Sequence, residues 1–330
     1  MKRRQFITLL GGIAAAWPRD VQAQQSAGLR RVGALISYNK DDQEVQDWLA
    51  TFHDALGKLG WTQGQNIKFE YRWTGNDPNL LEQAAKELVT LQPDLILSLS
   101  SPTTVFVLKQ TRTIPVVFVN VVDPVGQGFV ASLSHPGGNA TGLVNLEPSM
   151  AGKWLGLLKQ VVPKLTRVAI PFNPVSAPYA DLYLNYFRST APSFGVEVIP
   201  GSVADVPALE AFVGAQGREP NTGIIPMPSA FSSGHSTELG AMMTRYRLPA
   251  VYPVRSFAAA GGLMAYGNDV ADNYRRAAAL VDRILKGEKP SELPVQFPIK
   301  FELVINLKAA KVLGLEIPAQ LLATADEVIE

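Results

Sequence analysis

Residues 93–110 read PDLILSLSSPTTVFVLKQ. Leu95, Ile96 and Leu97 make a short apolar strand, and a helical apolar run restarts at Val105. Between them, four of the five positions 100–104 carry hydroxyls: Ser100, Ser101, Thr103 and Thr104. Ser100 or Ser101 suits a helix N-cap, where a side-chain oxygen accepts an otherwise unpaired backbone N–H. Pro102 suits the first turn, where a missing N–H breaks no helical bond. Strand, polar turn and helix form one half of a β-α repeat. A chain of such repeats gives a parallel sheet with helices on both faces. Ligands of such sheets sit beyond the carboxyl ends of the strands, which is where the hydroxyls fall.

The rhythm runs outward in both directions. Residues 31–36 (RVGALI) read as a buried strand. Val45, Trp48, Leu49, Phe52, Leu56 and Leu59 then share one helical face, closed by Gly60. A strand at 66–73 alternates Ile67, Phe69, Tyr71 and Trp73; a helix at 80–91 and a strand at 115–119 follow. After a Gly-, Pro- and Asn-rich pause at 123–143 the alternation resumes. It gives helices at 150–162, 177–194, 207–215 and 237–246, and strands at 167–172, 196–200, 223–227 and 250–252. A last strand at 262–267 precedes a helix capped by Asp269, with Val270, Tyr274, Ala277, Val281 and Ile284 on one side and Gly287 at its end.

The expected fold class is α/β: two doubly wound parallel-sheet lobes with a ligand cleft between them. Lobe 1 takes residues 30–120 and approximately 262–290; lobe 2 takes 123–258, with part of 300–330. Crossings between lobes are expected near 120–145, 257–263 and 290–305, with hinges at 120–122, 143–146 and 257–263.

The N-terminal stretch RRQFITLLGGIAAAWP, residues 3–18, reads as an export signal. Lys2, Arg3 and Arg4 form a basic head, and the apolar stretch 6–17 is too short to span a bilayer. Arg3 and Arg4 followed by Gln5, Phe6 and Ile7 resemble a twin-arginine signal, with Sec export as the alternative. Cleavage after Ala23 leaves 307 residues and moves the formal net charge from +1 to −2. That balance argues against nucleic acid or anionic lipid as the main partner. The chain has no cysteine, so it carries neither a disulfide nor a lipid-anchored cysteine. A free, soluble periplasmic protein is the expectation.

Catalytic signatures are absent. The first strand-helix turn, Ser37 to Asp41, has no glycine-rich dinucleotide loop, and neither a P-loop nor a GxSxG elbow occurs. His53, His135 and His235 lie far apart, so no metal site, cofactor or enzymatic activity is expected. What the chain offers is polar strand ends. These are Ser37 and Tyr38 after the first strand, Ser100, Ser101, Thr103 and Thr104 after the third, and Asn120 and Asp123 after the fourth. Asn145 lies at the second hinge; Asn173, Ser229, Ala230, Tyr252 and Arg255 end strands of the second unit. The hydroxyls and helix start at 100–104 suit a carboxylate, against plain capping, which needs one hydroxyl. Asp123 suits an ammonium or caps its own turn. Tyr38, Phe172, Phe231 and Tyr252 either wall an apolar slot or simply pack.

Several short segments together carry a family resemblance: LGW at 59–61, GQNI at 64–67, EYRW at 70–73, AKELV at 85–89 and TIPVVF at 113–118. DPV at 123–125, PGGNATG at 136–142, Asn173-Pro174, LGLEIP at 313–318 and ADEVI at 325–329 continue it. The chain resembles the substrate-binding proteins of ABC transporters, in the group that includes tryptophan-binding lipoproteins. His135 departs from the pattern, where an arginine is expected. The resemblance implies a type I periplasmic-binding-protein fold whose lobes close on a small molecule. It also implies a membrane permease with ATPase subunits as partners, and relatives suggest aromatic amino acids as ligands. A monomer is expected. The alternatives are a sensor presenting its ligand to a membrane receptor, or a periplasmic α/β hydrolase.

Overall fold

The computed structural model describes residues 28–75 and 77–330; the export-signal reading, on 1–23, lies outside them. Lobe 1 is built from β1 (Arg30–Ile36), α1 (Gln43–Lys58), β2 (Ile67–Trp73), α2 (Pro78–Thr90), β3 (Leu95–Ser98), α3 (Ser101–Gln110), β4 (Val116–Val121) and β5 (Ala140–Val144). Its sheet runs β2-β1-β3-β4-β5, parallel throughout. Every residue of β3, β4 and β5 is buried, as strands covered on both faces require. Asp42 caps α1 by accepting the Glu44 and Val45 N–H groups, Asp77 caps α2, and Ser100 caps α3.

The chain then builds α4 (Ala151–Val161), β6 (Arg167–Phe172), α5 (Ala180–Thr190), β7 (Glu197–Ser202), α6 (Val206–Gln216), β8 (Thr222–Ile224), α7 (Ala230–Gly234), α8 (Ser236–Tyr246), β9 (Val251–Tyr252) and α9 (Arg255–Ala259). There follow β10 (Met264–Asn268), α10 (Val270–Leu285), β11 (Phe301–Asn306), α11 (Leu307–Leu313), α12 (Ala319–Leu322) and β12 (Glu327–Ile329). The strands pair as β7-β6-β8 and β9-β10-β11-β12, and a parallel bridge from Ile224 to Ala250 joins the two sets. Among these strands only the β10–β11 pair is antiparallel. At the centre of lobe 2, Trp154 stacks between Tyr183 and Phe187 and donates its indole N–H to the Tyr266 carbonyl at 2.7 Å.

The segment 262–290 does not belong to lobe 1 as a unit. β10 pairs with β9 and β11 in the second sheet, while α10 packs on α1 and β4 in the first lobe. Trp48 of α1 stacks on Tyr274 at 5.6 Å, and the Trp61 indole donates to Asp282 at 2.9 Å. The chain thus crosses between Asn268 and Val270, not at 257–263, where Gly262 N–H bonds back to the Phe257 carbonyl. Of the first two stretches expected to cross, 120–122 stays within lobe 1, and the chain leaves within the other, 143–146. β5, hidden in the turn-rich PGGNATG stretch, returns to pair with β4, and the chain leaves only after Val144. A third passage runs from Gln296, bridged to Leu143, to the start of β11 at Phe301. The pattern of 262–267 marks a strand; which sheet it joins depends on partners remote in sequence.

Two glycines test this packing. A Cβ on Gly267, in β10, would overlap the Pro253 carbonyl oxygen, whereas one on Gly57, on the exposed side of α1, meets nothing. Gly267→Ala is expected to destabilise by about 1–3 kcal/mol through overpacking. Gly57→Ala is expected to stabilise by up to about 1 kcal/mol through helix propensity. Urea midpoints at unchanged slope check both.

Candidate functional site

The strand ends of the two lobes meet around a cavity of about 450 Å³. Lobe 1 contributes Ser37, Tyr38, Asn39 and Gly75, beyond β1 and β2. Lobe 2 contributes Ala204 and Asp205, beyond β7, and Ala230, Phe231 and His235, at and after α7. Of the residues chosen from sequence, Ser37, Tyr38 and Ala230 therefore line one space, with Phe231 opposite Tyr38's lobe.

The hydroxyls of 100–104 lie behind that wall. Ser100 Oγ accepts the Thr103 N–H and pairs with Ser37 Oγ at 2.9 Å, so it touches the site through Ser37. Thr103 and Thr104 donate to the Ser100 carbonyl at 2.9 and 2.7 Å, and both meet Ser98 Oγ at 2.8 Å. Ser101 Oγ accepts the Val122 N–H at 3.0 Å, tying the start of α3 to the end of β4. Ser101, Thr103 and Thr104 are at most 1 % exposed. Hydroxyls that a sequence presents as an open anion site are here engaged with one another.

Asp123 is turned away from the cavity. It sits at φ +45° and accepts the Gly126 N–H at 2.9 Å, the turn-capping alternative. It borders a separate groove of about 360 Å³, with Glu147 of the first crossing and Phe297 of the third. Asn120, at φ +58°, accepts from the Asn273 amide at 2.9 Å; the same amide donates to the Val144 carbonyl at 3.1 Å. Asn145 opens the first crossing, its N–H bonded to Val121 O.

In lobe 2, Asn173 forms four bonds. Its amide donates to the Val203 and Ala204 carbonyls at 3.1 and 2.9 Å, and its oxygen accepts the Val175 and Ser176 N–H groups at 3.0 Å. Ser229 caps α7. Tyr252 is buried against Phe257, and its hydroxyl lacks a partner. Arg255 is exposed and pairs with Glu327 and Glu302. Phe172 packs at the edge of the lobe 2 core.

The structure adds residues that the sequence reading assigned to the core or passed over. Tyr38 meets Trp48 edge-on at 5.8 Å, and Trp48 stacks on Tyr274, whose buried hydroxyl has no partner. Burial holds the Tyr38, Tyr179 and Tyr274 hydroxyls protonated by raising each well above the usual phenol value. Glu44, in the first turn of α1, is pushed up to about 7, chiefly by burial. The one available signal was a tyrosine, with its polar tip, on the apolar face of α10. Among the described residues no group of three or more His, Asp or Glu is placed to hold a metal ion. No helix there is long and apolar enough to cross a membrane. The arrangement provides a small, aromatic-walled space with hydroxyl, amide and carboxyl groups at its edges.

Asn173→Ala is expected to destabilise by about 2 kcal/mol, since it leaves buried backbone groups unpaired. The amides of Val175 and Ser176 should lose hydrogen-exchange protection, which NMR reads residue by residue.

Residues 39–329 match the family described as ABC transporter substrate binding protein. A tyrosine-binding protein of Clostridioides difficile (strain R20291) is 23% identical over 297 residues, covering 90% of this chain and 83% of that protein. The crystal structure of a conserved domain protein from Vibrio cholerae superposes with a TM-score of 0.84 at 25% identity, covering 91% of this chain and 99% of the other. The ABC domain from Streptococcus pneumonia, solved in complex with L-Trp, gives 0.84 at 22% identity, covering 92% and 100%. These likenesses carry the type I periplasmic-binding-protein fold. With the family pattern spanning nearly the whole described chain, this protein belongs to the ABC transporter substrate-binding protein family.

Proposed function

We propose that this protein is the extracytoplasmic receptor of an ABC importer. It captures a small carboxylate-bearing ligand, an aromatic or branched amino acid, by lobe closure and delivers it to a membrane permease with its ATPase subunits. The observation that carries this reading is the cavity of about 450 Å³ walled by both lobes. Its volume falls in the range of small-molecule sites, roughly 300–1,000 Å³, and Tyr38 and Phe231 supply aromatic surface from opposite lobes. A space walled by both lobes is sealed only when they approach, which couples occupancy to closure. The relative named for tyrosine and the neighbour holding L-Trp support an aromatic amino acid. Arg3 and Arg4, with the short apolar stretch after them, support export to the periplasm by a cleavable signal, Tat-like or Sec. The receptor acts as a monomer, with no cofactor and no catalysis.

A thermal-shift screen over the twenty amino acids tests the reading. A true ligand at a hundredfold excess over Kd should stabilise the protein by about 2.7 kcal/mol, because it binds only the folded state. Small-angle scattering should show a smaller radius of gyration at saturation. Tyr38→Ala should weaken the responding ligand at least tenfold, roughly 1.4 kcal/mol. A flat response across the screen rejects an amino-acid ligand.

A further inference from the structure

We propose that His235 is a specificity-determining residue of the cavity. Its Nε2 accepts a hydrogen bond from the ring N–H or O–H of the ligand's side chain, so that tryptophan or tyrosine is taken in preference to phenylalanine and to branched aliphatic amino acids. This rests on the amino-acid reading above and narrows it.

His235 is at once the C-cap of α7 and the N-cap of α8. Its N–H donates to the Ser232 carbonyl at 3.3 Å, and its carbonyl accepts the Leu239 N–H at 2.9 Å, so the backbone beneath the ring is held from both sides. The residue lines the cavity together with Phe231, one turn earlier. The two rings meet edge to face, with centroids 4.9 Å apart and planes at 63°. A ligand ring that packs on Phe231 therefore brings its edge to the imidazole.

The two nitrogens of that imidazole have different surroundings. Nδ1 is buried and has no hydrogen-bond partner. Glu238, in the first turn of α8, brings a carboxylate oxygen to 3.5 Å from it. The separation is too long for a good hydrogen bond, yet a carboxylate facing a ring nitrogen favours the tautomer with the proton on that nitrogen. Nε2 is then the acceptor. It enters no hydrogen bond among the described residues and, unlike Nδ1, it is not buried. A residue of the cavity wall thus carries an open lone pair.

The other polar groups of the wall suit other parts of an amino acid. Asp205 is the one carboxylate among the residues that line the cavity, and no Lys or Arg joins them. One of its oxygens caps α6 by accepting the Ala208 N–H at 2.9 Å. A carboxylate gains more from an ammonium than from a neutral ring donor. Ser37 Oγ is paired with Ser100 Oγ at 2.9 Å. Asn39 and Tyr38 belong to lobe 1, whereas His235 shares lobe 2 with the Phe231 ring. Water satisfies Nε2 in the empty cavity. Phenylalanine displaces that water and offers no donor in return, which is the physical source of the discrimination.

The test is calorimetric titration of wild type, His235→Phe, His235→Gln and Asp205→Asn with L-tryptophan, L-tyrosine and L-phenylalanine. His235→Phe keeps a ring beside Phe231 and removes the acceptor; His235→Gln returns an acceptor at a similar reach. Wild type is expected to bind L-tryptophan or L-tyrosine about tenfold more tightly than L-phenylalanine, the worth of one hydrogen bond. That preference should vanish in His235→Phe and recover in part in His235→Gln. Asp205→Asn should weaken all three ligands alike and leave the preference intact. In NMR the His235 Nε2 resonance should shift with L-tryptophan or L-tyrosine and stay in place with L-phenylalanine. If His235→Phe keeps the wild-type preference, or wild type shows none, the assignment to His235 fails while the amino-acid reading stands. If the preference is lost in Asp205→Asn and kept in His235→Phe, Asp205 reads the ring donor and the assignment again fails. If none of the three binds wild type, a thermal response to any other amino acid rejects the assignment alone, and no response to any of them rejects the amino-acid reading with it.

Discussion

The three residues from Asn268 to Val270 carry the greatest architectural burden among the described residues. On one side β10 is hydrogen-bonded into the second sheet; on the other α10 lies against α1 of the first lobe. The helix is held there by the Trp48–Tyr274 stack, the Trp61–Asp282 bond and the Asn273 amide, which reaches both Asn120 and Val144. Asn273 in turn connects the end of β4 with the end of β5, where the chain first leaves the lobe. A short connection, capped by Asp269, fixes strand and helix in different lobes, so the spacing of the lobes at this point is set locally.

Much of this was legible in the sequence because buried parallel strands and amphipathic helices have distinct periods. β1, β3, β6 and α10 announce themselves by composition, and the caps Ser100 and Asp269 by position. β5 was not legible: its small residues sit inside a Gly- and Asn-rich stretch whose composition signals turns, and burial comes from Phe118 and the sheet around it. The short α7 and α9 also escaped, since a single turn carries too little periodicity. The lobe that β10 joins is a matter of pairing, and pairing partners leave no mark within the strand itself.

The site divides along the same line. Ser37, Tyr38 and Ala230 could be found because strand ends in open α/β sheets face the ligand. Asn173 and Asp123 satisfied the same rule yet are consumed by their own turns, since short amides and carboxylates compete for nearby backbone N–H groups. Tyr274 lies on the apolar side of α10, where periodicity files it with the core. Its stack on Trp48, behind Tyr38, exists only after α1 and α10 are brought together from residues more than two hundred positions apart.

The run of hydroxyls from Ser98 through Thr103 and Ser100 to Ser37 has a property that no single bond in it shows. In the Ser37–Ser100 pair either oxygen can be the donor. With Ser37 donating inward, it faces the cavity as an acceptor; with Ser100 donating outward, the Ser37 proton is free to point into the cavity. Rotating light hydroxyls is enough to exchange the two states, with no movement of the backbone. The rim of the cavity is therefore of reversible polarity, able to meet a carboxylate or an ammonium at the same position.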